Sequence, residues 1–283
     1  MLKDEIKKLV KRKEYIFFFM IMFFAVIFDF LINCINLYGE RLSNLYPAYV
    51  MTVLDNISRA PFRVVFTLFL PLVVCVAASD TYLLDTKAGI NNYIVTRVNR
   101  SRYIKTKALA IFLVVFFTIM LNILLSIALN ATTFPLYGYR SHWQIMPYML
   151  TSEYEFGTEL LGKLRFYHPY INICLWGMLR AFVGATFALF AYGVSFIKKI
   201  SRYIVLISSF VVYHLISVAE MNFESFLFDI DMNHSIWRDF LGFCVMLNVN
   251  PRVGIVQYIY PIILFLIIAI MLIKRGIKKE ELL

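Results

Sequence analysis

The sequence Ala-Leu-Ala-Ile-Phe-Leu-Val-Val-Phe-Phe-Thr-Ile-Met-Leu, at residues 108–121, has Thr118 as its one polar side chain. The apolar character continues to residue 129, which gives the length of about 20 residues that a helix needs to cross a bilayer. A run of this length and composition is typical of a transmembrane helix, and it decides the fold class.

Five more windows meet the same criterion, so we expect six transmembrane helices, at residues 15–37, 62–79, 108–129, 170–196, 204–218 and 253–273. The composition agrees, because 61% of the residues are hydrophobic and 16% are charged, against about 45–50% and 25% in soluble domains. The sequence therefore predicts an all-α, polytopic membrane protein in which residues 1–283 form a single transmembrane domain.

The basic residues predict the orientation of these helices. The chain has 28 Lys and Arg against 18 Asp and Glu, for a net charge of +10. Nineteen of the 28 lie before span one, between spans two and three, between spans four and five, or after span six, and eight lie in the opposite loops. Since Lys and Arg in short loops stay in the cytoplasm, both termini are expected there. A basic excess spread over four juxtamembrane segments also argues against nucleic-acid binding.

Three segments outside the spans have patterns of their own. Residues 1–14 alternate apolar and basic side chains at helical spacing, which predicts an amphipathic helix in the membrane interface; the alternative is a positive flank that only orients span one. Residues 130–169 and 219–252 are expected to be extracytoplasmic loops. The apolar run at residues 240–247 is too short to cross a bilayer, so it is either a re-entrant segment or a loop packed on helix ends.

Residues 80–107 are the expected cytoplasmic connection between spans two and three. One helical face recurs there at the i, i+3 and i+4 spacing: Ile90, Tyr93, Ile94, Arg97 and Val98. A short helix with this pattern would offer Tyr93, Ile94 and Val98 to a partner protein. Its arginines would meet acidic groups or lipid phosphates: Arg97, Arg100 and Arg102.

Together these features resemble the type-2 ABC exporter permeases, and most closely the small permease subunits of Gram-positive bacteria. The resemblance covers the six-span topology, the basic N-terminal helix, the spacing of Asp85 and Gly89 after span two, and the turn Thr-Arg-Val-x-Arg-x-x-Tyr that ends at Tyr103. In that family the segment after span two is a coupling helix that docks in a cleft of the ATPase subunit. The resemblance assigns ten residues to this role: Asp85, Gly89, Ile90, Tyr93, Ile94, Arg97, Val98, Arg100, Arg102 and Tyr103.

The resemblance implies a bacterial plasma-membrane protein that works with a cytoplasmic ABC ATPase and a second permease subunit, as a homodimer or heterodimer in the lipid bilayer. It implies export of an amphipathic or hydrophobic substrate, such as a peptide, toxin, drug or lipid. This chain would be no enzyme and would hold no cofactor, because ATP and Mg²⁺ would bind the ATPase. Residues 157–164 come close to a P-loop, but Leu164 replaces the hydroxyl that would hold Mg²⁺. The four Cys and four His have neither metal-site nor catalytic spacing.

Polar residues within the spans are the remaining candidates, because each is costly in lipid unless it is paired or hydrated. Asp29 and Arg180 are expected within roughly 5 Å of the same depth, where they would form an ion pair or line a hydrated cavity. Pro71 and Pro261 are expected to kink spans two and six. With His214 of span five, Asp29 and Arg180 also support an alternative function, a stand-alone secondary transporter or ion channel. A non-transporting membrane scaffold or sensor is the third possibility.

Overall fold

The computed structural model describes residues 1–41, 45–54, 62, 64–87, 89, 99–136, 160–197, 200–229, 246–247 and 255–281. In these ranges all regular secondary structure is helical. The elements are α1 (Leu2–Val10), α2 (Lys13–Asn36), α3 (Val64–Thr67), α4 (Leu70–Ala78), α5 (Thr81–Lys87), α6 (Arg100–Thr133), α7 (Gly162–Tyr167), α8 (Pro169–Val194), α9 (Arg202–Asp229) and α10 (Ile255–Glu281). Most of the predicted coupling helix and of the predicted re-entrant segment lies outside the described residues.

Five of the described helices contain a stretch long and apolar enough to cross a membrane: Lys13–Asn36, Ser101–Thr133, Pro169–Val194, Arg202–Asn222 and Tyr258–Lys278. They correspond to the predicted spans one, three, four, five and six. The described part of the chain therefore has the architecture of a helical membrane protein. The amphipathic N-terminal segment forms a separate helix, α1, which is followed directly by α2.

The predicted second span is different, because two short helices, α3 and α4, lie in its place and α5 follows them. Pro71 lies in the first turn of α4 and has no N–H to donate to the carbonyl of Thr67, where α3 ends. The N–H of Phe69 instead reaches back to the carbonyl of Val64 at 3.0 Å. Among the described helices, therefore, five and not six are of membrane-spanning length.

Helix α8 lies at the centre of the bundle and packs against α4, α6, α9 and α10. Small residues allow this close packing, as is common between transmembrane helices. A Cβ atom added to Gly193 would lie 2.9 Å from the Cβ of Leu272 on α10. A Cβ atom on Gly276 would lie 2.5 Å from the Cγ of Phe196, just beyond the end of α8. The α8–α10 contact thus depends on glycine at both positions.

The segments that carry most of the basic residues meet at one end of the bundle. Arg12, which precedes α2, and Arg202, at the start of α9, both hydrogen-bond Asp80 between α4 and α5. Lys107, near the start of α6, donates to the carbonyl of Thr81 at 3.3 Å. We call this the basic end, defined by Arg12, Asp80, Lys107 and Arg202. The segments predicted to be cytoplasmic contribute side chains to it.

Candidate functional site: buried ion pairs at the basic end

The carboxylate of Asp85 is the centre of the first cluster at the basic end. Asp85 belongs to α5 and is only 5% exposed. Its Oδ1 accepts from Nζ of Lys8 on α1 at 3.1 Å. Its Oδ2 accepts from the hydroxyl of Tyr103 at 2.5 Å and from Nζ of Lys107, both on α6. One carboxylate therefore joins α5 to α1 and α6.

Lys107 is 1% exposed, and burial of a cation is costly unless its donors are used. Its Nζ also donates to the hydroxyl of Tyr103 at 3.0 Å and to the carbonyl of Thr81 at 3.3 Å. With Asp85, these give the three N–H groups of the ammonium one acceptor each. Both members of the buried pair thus have the partners that make such a pair tolerable inside a protein.

The pKa of Asp85 follows from these contacts. Burial alone would raise the pKa, but the charge of Lys107, the hydrogen bonds from Lys107 and Tyr103, and the charge of Lys8 together bring it below its ordinary value of 3.8. Asp85 is therefore ionised at neutral pH. Because the depressed pKa favours the folded state only where the carboxylate is charged, the stabilisation is lost as the pH falls through that pKa.

The carboxylate of Asp80 is the centre of a second cluster. Asp80 is buried in the turn between α4 and α5. Its Oδ1 accepts from Nη2 of Arg12 at 3.0 Å, and its Oδ2 accepts from Nε of Arg202 at 2.5 Å. Glu14 on α2 closes the ring, at 2.8 Å from Nη2 of Arg202 and 3.5 Å from Nε of Arg12. Alternating charges thus tie the turn to α2 and α9.

The two clusters lie at the two ends of α5 and anchor this short helix to α1, α2, α6 and α9. We call them together the α5 clamp, defined by Asp80 and Asp85 with Lys8, Arg12, Glu14, Tyr103, Lys107 and Arg202. In the described residues no group of three or more His, Cys, Asp or Glu side chains is placed to hold a metal ion.

The residues predicted to couple to an ATPase have different positions. Asp85 and Tyr103 are buried in the clamp, so they cannot touch another protein while these contacts hold. Gly89 has a φ of +68°, the left-handed region that favours glycine. Arg100 is the first residue of α6, and Arg102 is exposed on that helix. The other five lie outside the described residues: Ile90, Tyr93, Ile94, Arg97 and Val98.

The predicted intramembrane polar residues form hydrogen bonds with other groups of the protein. Asp29 is buried on α2 and accepts a hydrogen bond from Asn33 at 3.3 Å. Arg180 is buried on α8 and donates from Nη1 to the carbonyl of Phe66 at 3.1 Å. The expected ion pair between Asp29 and Arg180 stays a prediction. His214 on α9 places Nε2 at 3.1 Å from the carbonyl of Leu68.

Two of these contacts have the same cause, because the carbonyls of Phe66 and Leu68 lie where the second span is broken. In a continuous helix they would accept from backbone N–H groups four residues later. At this break Arg180 and His214 supply donors from neighbouring helices, as occurs where helices are interrupted in membranes. Pro71 is at the break, whereas Pro261 lies inside the uninterrupted helix α10.

Sequence reasoning missed most of the α5 clamp. It took Lys8, Arg12, Lys107 and Arg202 as basic residues that orient the spans or face lipid headgroups and a partner protein, and it did not single out Asp80. The available signal was a pair of carboxylates, five residues apart, in a connection that is otherwise basic. Comparisons with protein-family models, with curated proteins and with solved structures gave no match.

Proposed function

We propose that this chain is the membrane-spanning permease subunit of an ABC transporter and exports an amphipathic or hydrophobic substrate, such as a peptide, toxin, drug or lipid. A separate cytoplasmic ATPase subunit drives it, and a second permease subunit completes the transporter in the bacterial plasma membrane. The observation that carries the proposal is the α5 clamp. The helix just before the proposed coupling segment is anchored by two buried carboxylates to four other helices.

The mechanical consequence follows from the position of α5. The ATPase, on closing around ATP, pushes the coupling segment at residues 90–98, and α5 moves with it. Because ion pairs join α5 to α1, α2, α6 and α9, these helices follow. The break at Pro71 lets α5 and α4 move without bending a continuous helix against its own hydrogen bonds. The bundle then exchanges between inward-open and outward-open forms.

The test is co-purification of the full chain with ABC ATPases from the same genome. Tyr93→Asp and Val98→Asp put a charge on the proposed docking face, so each is expected to release the ATPase. Tyr38→Asp is the matched control, because Tyr38 is 92% exposed beyond the far end of α2. If the ATPase stays bound to both docking variants as it does to the control, the proposed coupling role is wrong.

A second candidate function, ion-driven transport by this chain alone, is favoured by the burial of Asp29 and Arg180 in helices of membrane-spanning length. Purified chain in liposomes distinguishes the two. Substrate flux driven by an ion gradient, without ATPase and lost in Asp29→Asn, would replace the exporter proposal. The exporter proposal expects substrate flux only when the ATPase and ATP are both present. A scaffold or sensor gives no flux, either with an ion gradient alone or with ATPase and ATP.

A further inference from the structure

A groove of about 280 Å³ runs along the surface between α6 and α10 at the basic end. On each helix the lining residues recur at the i, i+3, i+4 and i+7 positions, so each wall is one helical face about 10 Å long. Phe112 and Ile270 line the apolar part, and Leu189 of α8 also lines the groove. The surface is therefore narrow, elongated and almost wholly apolar.

The exceptions are two lysines, Lys105 on α6 and Lys274 on α10. Both side chains are exposed, and neither forms an ion pair with any carboxylate in the part of the chain that the structure describes. Lys107 is only two residues away from Lys105, yet it is buried against Asp85. Two exposed lysines without a carboxylate partner among the described residues thus border the apolar groove, next to a buried lysine that has one.

The groove lies where lipid headgroups meet the protein. Lys105 is close to the beginning of the membrane-spanning stretch Ser101–Thr133, and Lys274 is close to the end of Tyr258–Lys278. Lysine side chains at this depth face the charged groups of the bilayer surface, and basic pockets between helices bind acidic headgroups.

We propose that this groove is a binding site for one phospholipid with a net negative headgroup. The acyl chain lies along the apolar walls, and the headgroup phosphate is held by Lys105 and Lys274. A zwitterionic phospholipid offers the same phosphate together with a cationic amine that the two lysines repel, so its net charge does not match theirs. The proposal requires only that the chain spans a membrane, and it is independent of any ATPase.

The experiment is native mass spectrometry of the delipidated full chain, titrated with an anionic phospholipid and with a zwitterionic phospholipid that has the same acyl chains. One tightly bound anionic lipid is expected. Because each lysine contributes roughly fivefold in affinity near a membrane surface, Lys105→Gln/Lys274→Gln is expected to weaken this binding about 25-fold. Lys3→Gln/Lys11→Gln removes the same charge from exposed positions on or next to α1 and is expected to change it less than about twofold.

Ala108→Trp tests the apolar half of the site, because Ala108 lines the groove and the larger ring fills it while both lysines remain. It is expected to weaken anionic-lipid binding at least tenfold, in a sample whose helical circular dichroism is unchanged. The proposal is overturned if the zwitterionic and the anionic lipid bind with equal affinity. It is also overturned if Lys3→Gln/Lys11→Gln weakens binding as much as Lys105→Gln/Lys274→Gln does. It is also overturned if Ala108→Trp retains the lipid and instead changes the oligomeric state, which would assign the groove to a second copy of the chain.

Discussion

At the scale of single residues, the contact between Asp85 and Lys107 places two opposite charges in the interior of the protein. Each is charged and buried, and each depends on the other and on Tyr103. A buried pair of this kind adds little net stability compared with apolar side chains, but loss of one partner leaves the other charge buried without compensation. The Asp85–Lys107 pair therefore fixes the position of α5 and contributes little to the net stability of the protein.

Lys107→Met is expected to lower the free energy of unfolding by about 3–5 kcal/mol, because Asp85 keeps its charge and loses its nearest cation. In Asp85→Leu/Lys107→Met neither charge of the pair remains, so most of that loss is expected to be recovered. Thermal unfolding of the single and double variants in one detergent measures the coupling. Lys7→Met, on the exposed face of α1, is the control. Additive losses from the two single substitutions would contradict the coupling.

At the scale of elements, the broken second span is the feature that separates the structure from the hydropathy pattern. Five long helices were predictable, because length and apolar composition alone define them. An average over a window does not register Pro71. The kink that was expected there is, in the structure, a break between α3 and α4. The α5 clamp was not predictable either, since Arg202 and Asp80 are 122 positions apart and every span is flanked by basic residues that look alike in sequence.

Because of the break, the stability of the protein is expected to depend on the hydrogen bond from His214 to the carbonyl of Leu68. His214→Leu removes the partner of the Leu68 carbonyl and is expected to destabilise the protein by about 1–3 kcal/mol. Pro71→Ala restores an N–H at position 71 and favours a continuous helix, in which residue 72 can donate to Leu68. His214→Leu is therefore expected to have a smaller effect in the Pro71→Ala background.

Thermal unfolding of the four combinations measures this difference, with His168→Leu, an exposed histidine before α8, as the control. An equal effect of His214→Leu in both backgrounds would refute the role assigned to the break.

At the scale of the whole molecule, Phe196, just after α8, connects the last helix, α10, with α5. The ring of Phe196 lies against Gly276 of α10 on one side and 4.2 Å from the ring of Tyr82, on α5, on the other. The C-terminal helix therefore reaches the clamped helix through one aromatic side chain. A displacement of α10 has a direct packing route to α5.

Gly276→Leu tests this route, because a side chain there would occupy the space of Phe196. Overpacking is expected to lower the free energy of unfolding by about 1–3 kcal/mol. It is also expected to change the reactivity of a cysteine placed at position 82, since the Phe196 ring beside that position must shift. Ala128→Leu adds a similar bulk, one carbon less, at an exposed position of α6 and is expected to change neither quantity. Unchanged cysteine reactivity in Gly276→Leu would mean that the packing route does not exist.

The break in the second span also has a consequence for biosynthesis. The carbonyls of Phe66 and Leu68 are made early, but Arg180 and His214 follow them by 114 and 146 positions in the chain. A ribosome adds about 5–20 residues per second, so these partners emerge several seconds to half a minute later. During this interval the nascent segment must keep water or the insertion machinery beside it. The carbonyl of Leu68 thus gains its partner His214 only after about three quarters of the chain has been translated.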